Sequence, residues 1–183
     1  MRISLAVIAV SFLFALTAPA RAGHELAVTT IVVSDRQTEL SLAGNNWSPA
    51  VATWIHPSWP VLPGATWIWR VAKVSKDEAV NGSPVVTFRR KFTAPEGSTQ
   101  ATLKITADNA YQVSFNGSVI GSSGELAATS NANDGHWHKF DTYAVALQSG
   151  ENVLVVRAVN YRSGAANSES NPGGVVFSLA VAQ

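Results

Sequence analysis

Apolar and polar residues alternate in short stretches along most of the chain. In one of these stretches, Ala101, Leu103, Ile105 and Ala107 alternate with polar residues. Alternation with a period of two places every second side chain on the same face of a β-strand, so it predicts a strand with one buried face. The same reasoning predicts strands over residues 86–93, 111–115, 119–120 and 175–181, and less regular patterns predict further strands over residues 25–33, 66–73 and 137–143.

Turn residues separate the predicted strands. Asn116-Gly117 supplies two residues that tolerate positive φ, which a type I′ hairpin turn requires. Residues 153–159 are apolar on both faces, as in a central strand of a sandwich. Residues 143–148 could form one helical turn, and no segment has the pattern of an amphipathic helix. Eight or nine short strands with Gly, Pro and Asn turns predict an all-β fold, an antiparallel β-sandwich or jelly roll.

The first 22 residues have the pattern of a secretory signal peptide. Arg2 precedes an almost unbroken apolar run over residues 3–16, and Ala20-Arg21-Ala22 has the small-x-small pattern of a cleavage site. An uncleaved N-terminal anchor is the alternative. Cleavage would leave residues 23–183 as a single β-sandwich domain, exported to the periplasm or the extracellular space and not inserted in the membrane.

Charge and cysteine content exclude several classes of function. The chain has 13 basic and 12 acidic residues, and loss of Arg2 and Arg21 leaves 11 basic residues and a net charge of −1. This balance does not favour nucleic-acid binding. The absence of cysteine excludes a cysteine nucleophile, a cysteine-ligated zinc site and a redox pair.

The acidic residues do not form a recognisable catalytic motif. A glycosidase needs two carboxylates at a set separation across the sugar, and here the acids are scattered along the chain. Asp77-Glu78 is interpreted as a loop pair. No nucleophile elbow, zinc-binding helix motif or phosphate-binding glycine loop occurs. The sequence therefore indicates a non-catalytic protein.

Two groups of polar residues stand at predicted strand ends. Asp108-Asn109 forms a hairpin tip, and Asn160 ends the strand over residues 153–159. Carboxylate and amide groups suit the hydroxyl pairs of sugars, and carboxylate, amide and backbone oxygens suit calcium. The alternative is purely structural, because Asp and Asn also favour turns and strand ends.

Aromatic rings are the second requirement of a sugar site, because they pack against the apolar face of a pyranose. Trp137 and Tyr161 are the preferred stacking candidates. Trp67 and Trp69 are predicted to be buried, whereas Trp47 and Trp59 either stack on sugar or pack the N-terminal segment onto the sandwich. His136 and His138 are interpreted as a surface pair.

From residue 86 onward the order of features resembles the galactose-binding-like β-sandwich, and within it the rhamnose-binding carbohydrate module of bacterial α-L-rhamnosidases. The resemblance spans about Thr66 to Val181. It rests on five segments, namely Phe88–Phe92, Ala101–Asn109, Tyr111–Gly117, Phe140–Tyr143 and Gly150–Val156.

The resemblance implies a calcium ion and a bound sugar at one end of the sandwich. By resemblance, Asp108, Asn109 and Asn160 would be the polar ligands, and loop carbonyls near residues 172–174 would complete the calcium site. The loop over residues 161–171 is longer than the resemblance implies, which leaves the identity of the sugar open.

These observations lead to one hypothesis and two alternatives. The hypothesis is a secreted, lectin-like module that binds carbohydrate without modifying it, with calcium assisting. The alternatives are a surface adhesion protein that uses the sandwich for protein contacts, and a small glycoside hydrolase or lyase. Residues 35–65, rich in Trp and Pro, could form an extra strand pair, a partner-binding arm or a wrap around the sandwich.

Overall fold

The computed structural model confirms the predicted antiparallel β-sandwich. Within the described residues, two six-stranded antiparallel sheets face each other and one short helix joins them. The structure describes residues 28–127, 129, 137–164 and 166–182. The elements in chain order are β1 (Val28–Val33), β2 (Glu39–Ser41), β3 (Ser48–Pro49), β4 (Val51–Ala52), β5 (Ile68–Trp69), α1 (Lys76–Asn81), β6 (Val86–Thr93), β7 (Gln100–Asp108), β8 (Ala110–Phe115), β9 (Ser118–Ser123), β10 (Asp141–Ala146), β11 (Glu151–Val159) and β12 (Gly174–Ala182).

The core lies between the two sheets. We call the sheet with strand order β10-β7-β12-β5-β4 sheet A, in which β1 also pairs with β12, and the sheet with order β3-β2-β6-β11-β8-β9 sheet B. Large apolar side chains from both sheets meet in one cluster, and each buried side chain of this size contributes about 1.5–3 kcal/mol. The largest of them are Trp69, Phe88, Leu103, Ile105, Leu154 and Phe177.

The strands with regular alternation lie where the pattern predicts them. Strands β6, β7, β8 and β12 cover the predicted segments, and β11 is a central strand between β6 and β8. Asn116 and Gly117 have φ values of 48° and 84°, so the predicted positive-φ turn between β8 and β9 is confirmed. Regular alternation is therefore a reliable signal in this chain.

The strands predicted from the less regular patterns are wrong in detail. Only Ile68–Trp69 of the segment 66–73 is a strand, and Trp137 lies in a turn before β10. The segment 143–148, which could have formed a helical turn, does not do so: residues 143–146 belong to β10, where Tyr143 pairs with Leu103 of β7. The predicted signal peptide and the first three residues of the strand predicted over residues 25–33 lie outside the described residues.

The helix α1 is absent from the sequence prediction, and its start has a capping signal. The hydroxyl of Ser75 accepts a hydrogen bond from the Glu78 amide at 3.1 Å. Ser and Glu three residues apart are the pattern of a capping box, which favours a helix start. The Glu78 carboxylate is buried and accepts hydrogen bonds from the Trp69 indole and the Arg70 guanidinium. The interpretation of Asp77-Glu78 as a loop pair is therefore wrong.

Residues 35–65 include three short extra strands, and the segment passes from sheet B to sheet A. Strands β2 and β3 pair with each other, and β2 joins the edge of sheet B against β6. After the buried Ala50, β4 pairs with β5 at the edge of sheet A. The segment therefore closes one side of the sandwich, which combines two of the three predicted alternatives, the strand pair and the wrap.

One buried asparagine joins two turns at the end of the sandwich opposite to Asp108. The Asn152 Oδ1 accepts from the Gln148 amide and from Asn116 Nδ2, both at 3.0 Å. Its Nδ2 donates to the carbonyls of Gln148 and Gly150. Asn152 therefore ties the β10–β11 turn to the β8–β9 hairpin.

Replacement of Asn152 by alanine is expected to lower the free energy of unfolding by about 3 kcal/mol, because it leaves several partially buried groups without partners. Urea denaturation measures this loss. Asn45→Ala, which changes an exposed asparagine, is the matched control and is expected to change stability by less than about 0.5 kcal/mol. Equal stability of the two variants would contradict the assigned role of Asn152.

Candidate functional site

Asp108-Asn109 and Asn160, which were predicted to meet, do lie side by side. The predicted hairpin is wrong, because β7 and β8 belong to different sheets, and Asp108-Asn109 is instead the tip of a crossover between the sheets. Strand β7 of sheet A ends at Asp108, and β8 of sheet B begins at Ala110. The backbone amide of Asn109 donates to the Val159 carbonyl at 3.0 Å. Because Val159 is the last residue of β11, this bond places Asp108-Asn109 next to Asn160.

Buried amide groups connect this tip to the loop that leads into β12. The Oδ1 of Asn109 accepts from the Tyr161 amide at 2.6 Å, and the Asn160 Nδ2 donates to the Asn171 carbonyl at 3.3 Å. The Asn171 Nδ2 donates to the carbonyls of Ala79 and Tyr161, both at 2.8 Å. Three asparagines thus hold sheet A, sheet B and helix α1 together at one end of the sandwich.

A cavity of about 270 Å³ opens beside the tip. Three of the five predicted site residues line it: Asp108, Asn109 and Trp137. The other two, Asn160 and Tyr161, are buried and are not among the described residues that line it. The remaining described lining residues are His56, Trp59, His138, Ser163, Ser170, Asn171 and Pro172.

Asp108 is the single acidic residue among the described residues that line the cavity. Only one of its two carboxylate oxygens accepts a hydrogen bond from the described residues. The Trp59 indole donates to Oδ2 at 2.8 Å, whereas Oδ1 is buried and meets no hydrogen-bond partner in the described part of the chain. Burial raises the pKa of Asp108 to about 7, and the hydrogen bond from Trp59 offsets part of that rise. One carboxylate oxygen is therefore left for a ligand.

A second buried side-chain oxygen at this end of the sandwich also lacks a hydrogen-bond partner among the described residues. The Oδ1 of Asn160 is buried and, within the described residues, has no hydrogen-bond partner. Unsatisfied buried polar atoms are rare in proteins and call for a ligand, an ion or a water. Oxygen donors of this kind fit calcium. No cluster of three His, Cys, Asp or Glu side chains that could hold a metal is found in the described ranges, so further oxygens would have to come from amides, carbonyls or water.

Tyr161 corrects one of the predictions. Its side chain is 1% exposed, and its hydroxyl accepts from the Glu125 amide at 2.7 Å and donates to the Glu125 carbonyl at 2.8 Å. A ring enclosed in this way offers no face to a sugar. Tyr161 therefore holds the backbone at Glu125 and is not a stacking platform.

Trp137 and two histidines form the rim of the cavity. Trp137 is partly exposed, and its ring lies edge-on to His56 at 6.1 Å and to His138 at 5.7 Å between centroids. His56 was not singled out from the sequence, because a lone histidine in a proline-rich loop has no distinguishing pattern. His136 of the predicted surface pair lies outside the described residues.

Trp59 combines a packing role with a place in the site. It is 4% exposed and its ring stacks on that of Trp67, with centroids 4.0 Å apart. The burial predicted for Trp67 and Trp69 is confirmed. Trp47 lies over the Arg89 guanidinium at 3.9 Å, on the edge of sheet B.

Comparisons with known proteins support the resemblance. No family model matches the chain. In sequence, the chain is 34% identical over 135 residues to an α-L-rhamnosidase from Streptomyces avermitilis, a match that covers 68% of this chain and 12% of the enzyme. This similarity supports the resemblance to a galactose-binding-like module related to α-L-rhamnosidases. The chain spans about one-eighth of the length of the curated relative it matches.

A solved structure shares the fold. A calcium-binding mutant of β-glucuronidase 2 from Bacteroides uniformis matches with a TM-score of 0.50 at 18% identity, over 85% of this chain and 18% of that one. A family 35 carbohydrate-binding module from Clostridium thermocellum matches with a TM-score of 0.42 at 12% identity, over 83% of this chain and 98% of that one. At these identities, the β-glucuronidase match supports the β-sandwich fold alone.

The raised pKa of Asp108 predicts a dependence of stability on pH. The folded protein holds this proton more tightly than the unfolded chain, so the stabilisation is complete below pH 3.8 and is lost as the pH rises through about 7. At 1.36 kcal/mol per pH unit, the rise from 3.8 to about 7 corresponds to about 4 kcal/mol. Asp108→Asn stays neutral and is expected to lack this decline.

Urea unfolding between pH 4 and 8 with a chelator, compared between wild type and Asp108→Asn, measures the difference. Asp77→Asn changes an exposed carboxylate and is expected to keep the wild-type profile. Parallel stability profiles for wild type and Asp108→Asn would refute the assignment.

Proposed function

We propose that this protein is a non-catalytic carbohydrate-binding module that captures a sugar in the cavity beside Asp108. The observation that carries the proposal is a buried carboxylate with one oxygen that has no hydrogen-bond partner among the described residues, in a cavity lined by aromatic and amide side chains. The sequence similarity of the chain to an α-L-rhamnosidase, an enzyme named for a carbohydrate substrate, supports a carbohydrate as the ligand.

The lining residues supply both kinds of contact that sugars use. Asp108, Asn109 and Asn171 bring carboxylate and amide groups, the kinds of group that bond sugar hydroxyls, to the wall of the cavity. The partly exposed ring of Trp137 offers an apolar face against which the carbon side of a sugar can pack. Ser163 and Ser170 add hydroxyl groups to the lining. This division into polar and aromatic contacts is typical of small-molecule sites.

Calcium assistance is part of the proposal. Asp108 Oδ1 and Asn160 Oδ1, the two buried oxygens without partners in the described chain, would be its side-chain ligands. Asn109, which lines the cavity next to Asp108, would be the third side-chain ligand. A bound cation supplies positive charge that offsets the cost of keeping the Asp108 carboxylate ionised, and it holds the loop oxygens in one arrangement.

A non-catalytic role is favoured over hydrolysis by the number of acids at the cavity. Glycoside hydrolysis by the common mechanisms needs two carboxyl groups, whereas Asp108 is the single acid among the described residues that line the cavity. Export, which the predicted signal peptide implies, would place the module where polysaccharides occur. Among the described residues there is no helix with the length and apolar character needed to cross a bilayer.

Binding to a glycan array with and without a chelator tests the proposal. Selective binding that weakens on chelation is expected for wild type, and Asp108→Asn is expected to lose at least about 90% of it, because a lost charged hydrogen bond or ligand is worth more than about 1.5 kcal/mol. Glu96→Gln removes an exposed carboxylate in the β6–β7 loop and serves as the charge-matched control. Absence of glycan binding by wild type would overturn the proposal.

Trp137→Ala tests the aromatic contact separately. Loss of ring stacking is expected to weaken sugar binding about tenfold, a loss of about 1.4 kcal/mol, while the affinity for calcium alone stays within twofold. Trp47→Ala, at the edge of sheet B, removes an indole outside the cavity lining and is expected to leave both affinities unchanged. Titration calorimetry of the two variants decides, and equal sugar affinities would contradict the assigned role of Trp137.

A further inference from the structure

The indole ring of Trp59 packs against the backbone of Gly174 at the start of β12. Gly174 is paired with Asp108 in the β7–β12 ladder. A Cβ atom on Gly174 would lie 2.7 Å from Trp59 Cη2 and 2.8 Å from Trp67 Cε3. The absence of a side chain at position 174 therefore lets the two indoles approach β12 closely and lets Trp59 reach Asp108 on the neighbouring strand.

Trp67 also restricts the position of the Trp59 ring. The Trp59 and Trp67 rings stack with an interplanar angle of 25°. Trp67 donates its own indole N–H to the Pro60 carbonyl at 3.1 Å, which holds the chain next to Trp59. Trp59 is buried, so its ring has little freedom to turn away from Asp108.

The chemistry of the donor matters for a binding site. An arginine or lysine beside Asp108 would neutralise the carboxylate and compete with a cation. The indole N–H is a neutral donor with a single hydrogen, so it orients one oxygen, Oδ2, and adds no positive charge that would repel a cation. A carboxylate that is ordered before binding loses less conformational entropy when a ligand arrives.

We propose that Trp59 is a positioning residue of the carbohydrate site: its N–H fixes the Asp108 carboxylate so that Oδ1 is presented to the ligand. The inference rests on the proposed function. It also assigns a role to the segment between β4 and β5, because this segment carries Trp59 past β12 to Asp108 at the end of β7. The segment is then part of the binding site and more than a cover for the sheets.

The test compares two variants that lose the same chemical group. Trp59→Phe keeps an aromatic ring on Trp67 and loses the N–H bonded to Asp108, whereas Trp67→Phe loses the N–H bonded to Pro60. Titration calorimetry with calcium chloride alone, and with L-rhamnose in calcium-containing buffer, measures binding, and thermal unfolding measures stability. Similar shifts in Tm are expected for both variants, with affinity about tenfold weaker in Trp59→Phe and within twofold of wild type in Trp67→Phe.

The outcomes separate this inference from the function on which it rests. If wild type binds calcium or L-rhamnose and the two variants bind equally well, the role of Trp59 is wrong and the proposed function stands. If wild type binds neither probe, the comparison is repeated with the glycan that the array selects, and if the array selects none, both are wrong.

Gly174→Ala provides a second route should Trp59→Phe fail to fold. The added methyl group displaces the indole pair while Trp59 and Asp108 both remain, so an affinity loss of at least about fivefold is expected. Wild-type affinity in Gly174→Ala would refute the positioning role.

Discussion

The candidate site depends on a network of buried asparagine amides at one end of the sandwich. Asn109 lies where the chain passes from sheet A to sheet B, and Asn171 connects the loop before β12 to helix α1 and to the loop after β11. A buried amide costs free energy unless its donors and acceptors are paired. Because these groups find partners in one arrangement, the network sets the relative positions of Asp108 and Asn160 before any ligand is present.

The parts of the fold that follow from local chemistry could be predicted from the sequence. Alternation identified the long strands, and Asn116-Gly117 identified a hairpin, because both depend on neighbouring residues alone. The proximity of Asp108-Asn109 to Asn160 was also predictable, although only with the help of a resemblance, since strand order cannot be read from alternation. Of the residues chosen from the sequence, Asp108, Asn109 and Trp137 line the cavity.

Features that depend on tertiary contacts could not be predicted in this way. Trp59 belongs to a segment without periodicity, and its value for the site comes from Gly174 and Asp108, which are distant in the chain. Tyr161 follows a strand end, as an exposed stacking residue would, and is nevertheless buried under Glu125. The helix α1 is six residues long, too short for its hydrophobic pattern to stand out from a loop.

The strands β3 and β4 have a consequence for the behaviour of the protein in solution. They are separated by one residue, belong to different sheets and are each two residues long. A strand at the margin of a sheet exposes unpaired backbone groups to which another chain can add, and a very short one offers few of them. Along this side of the molecule both sheets therefore end in poor templates for intermolecular pairing, which protects a concentrated protein against self-association and the growth of fibrils.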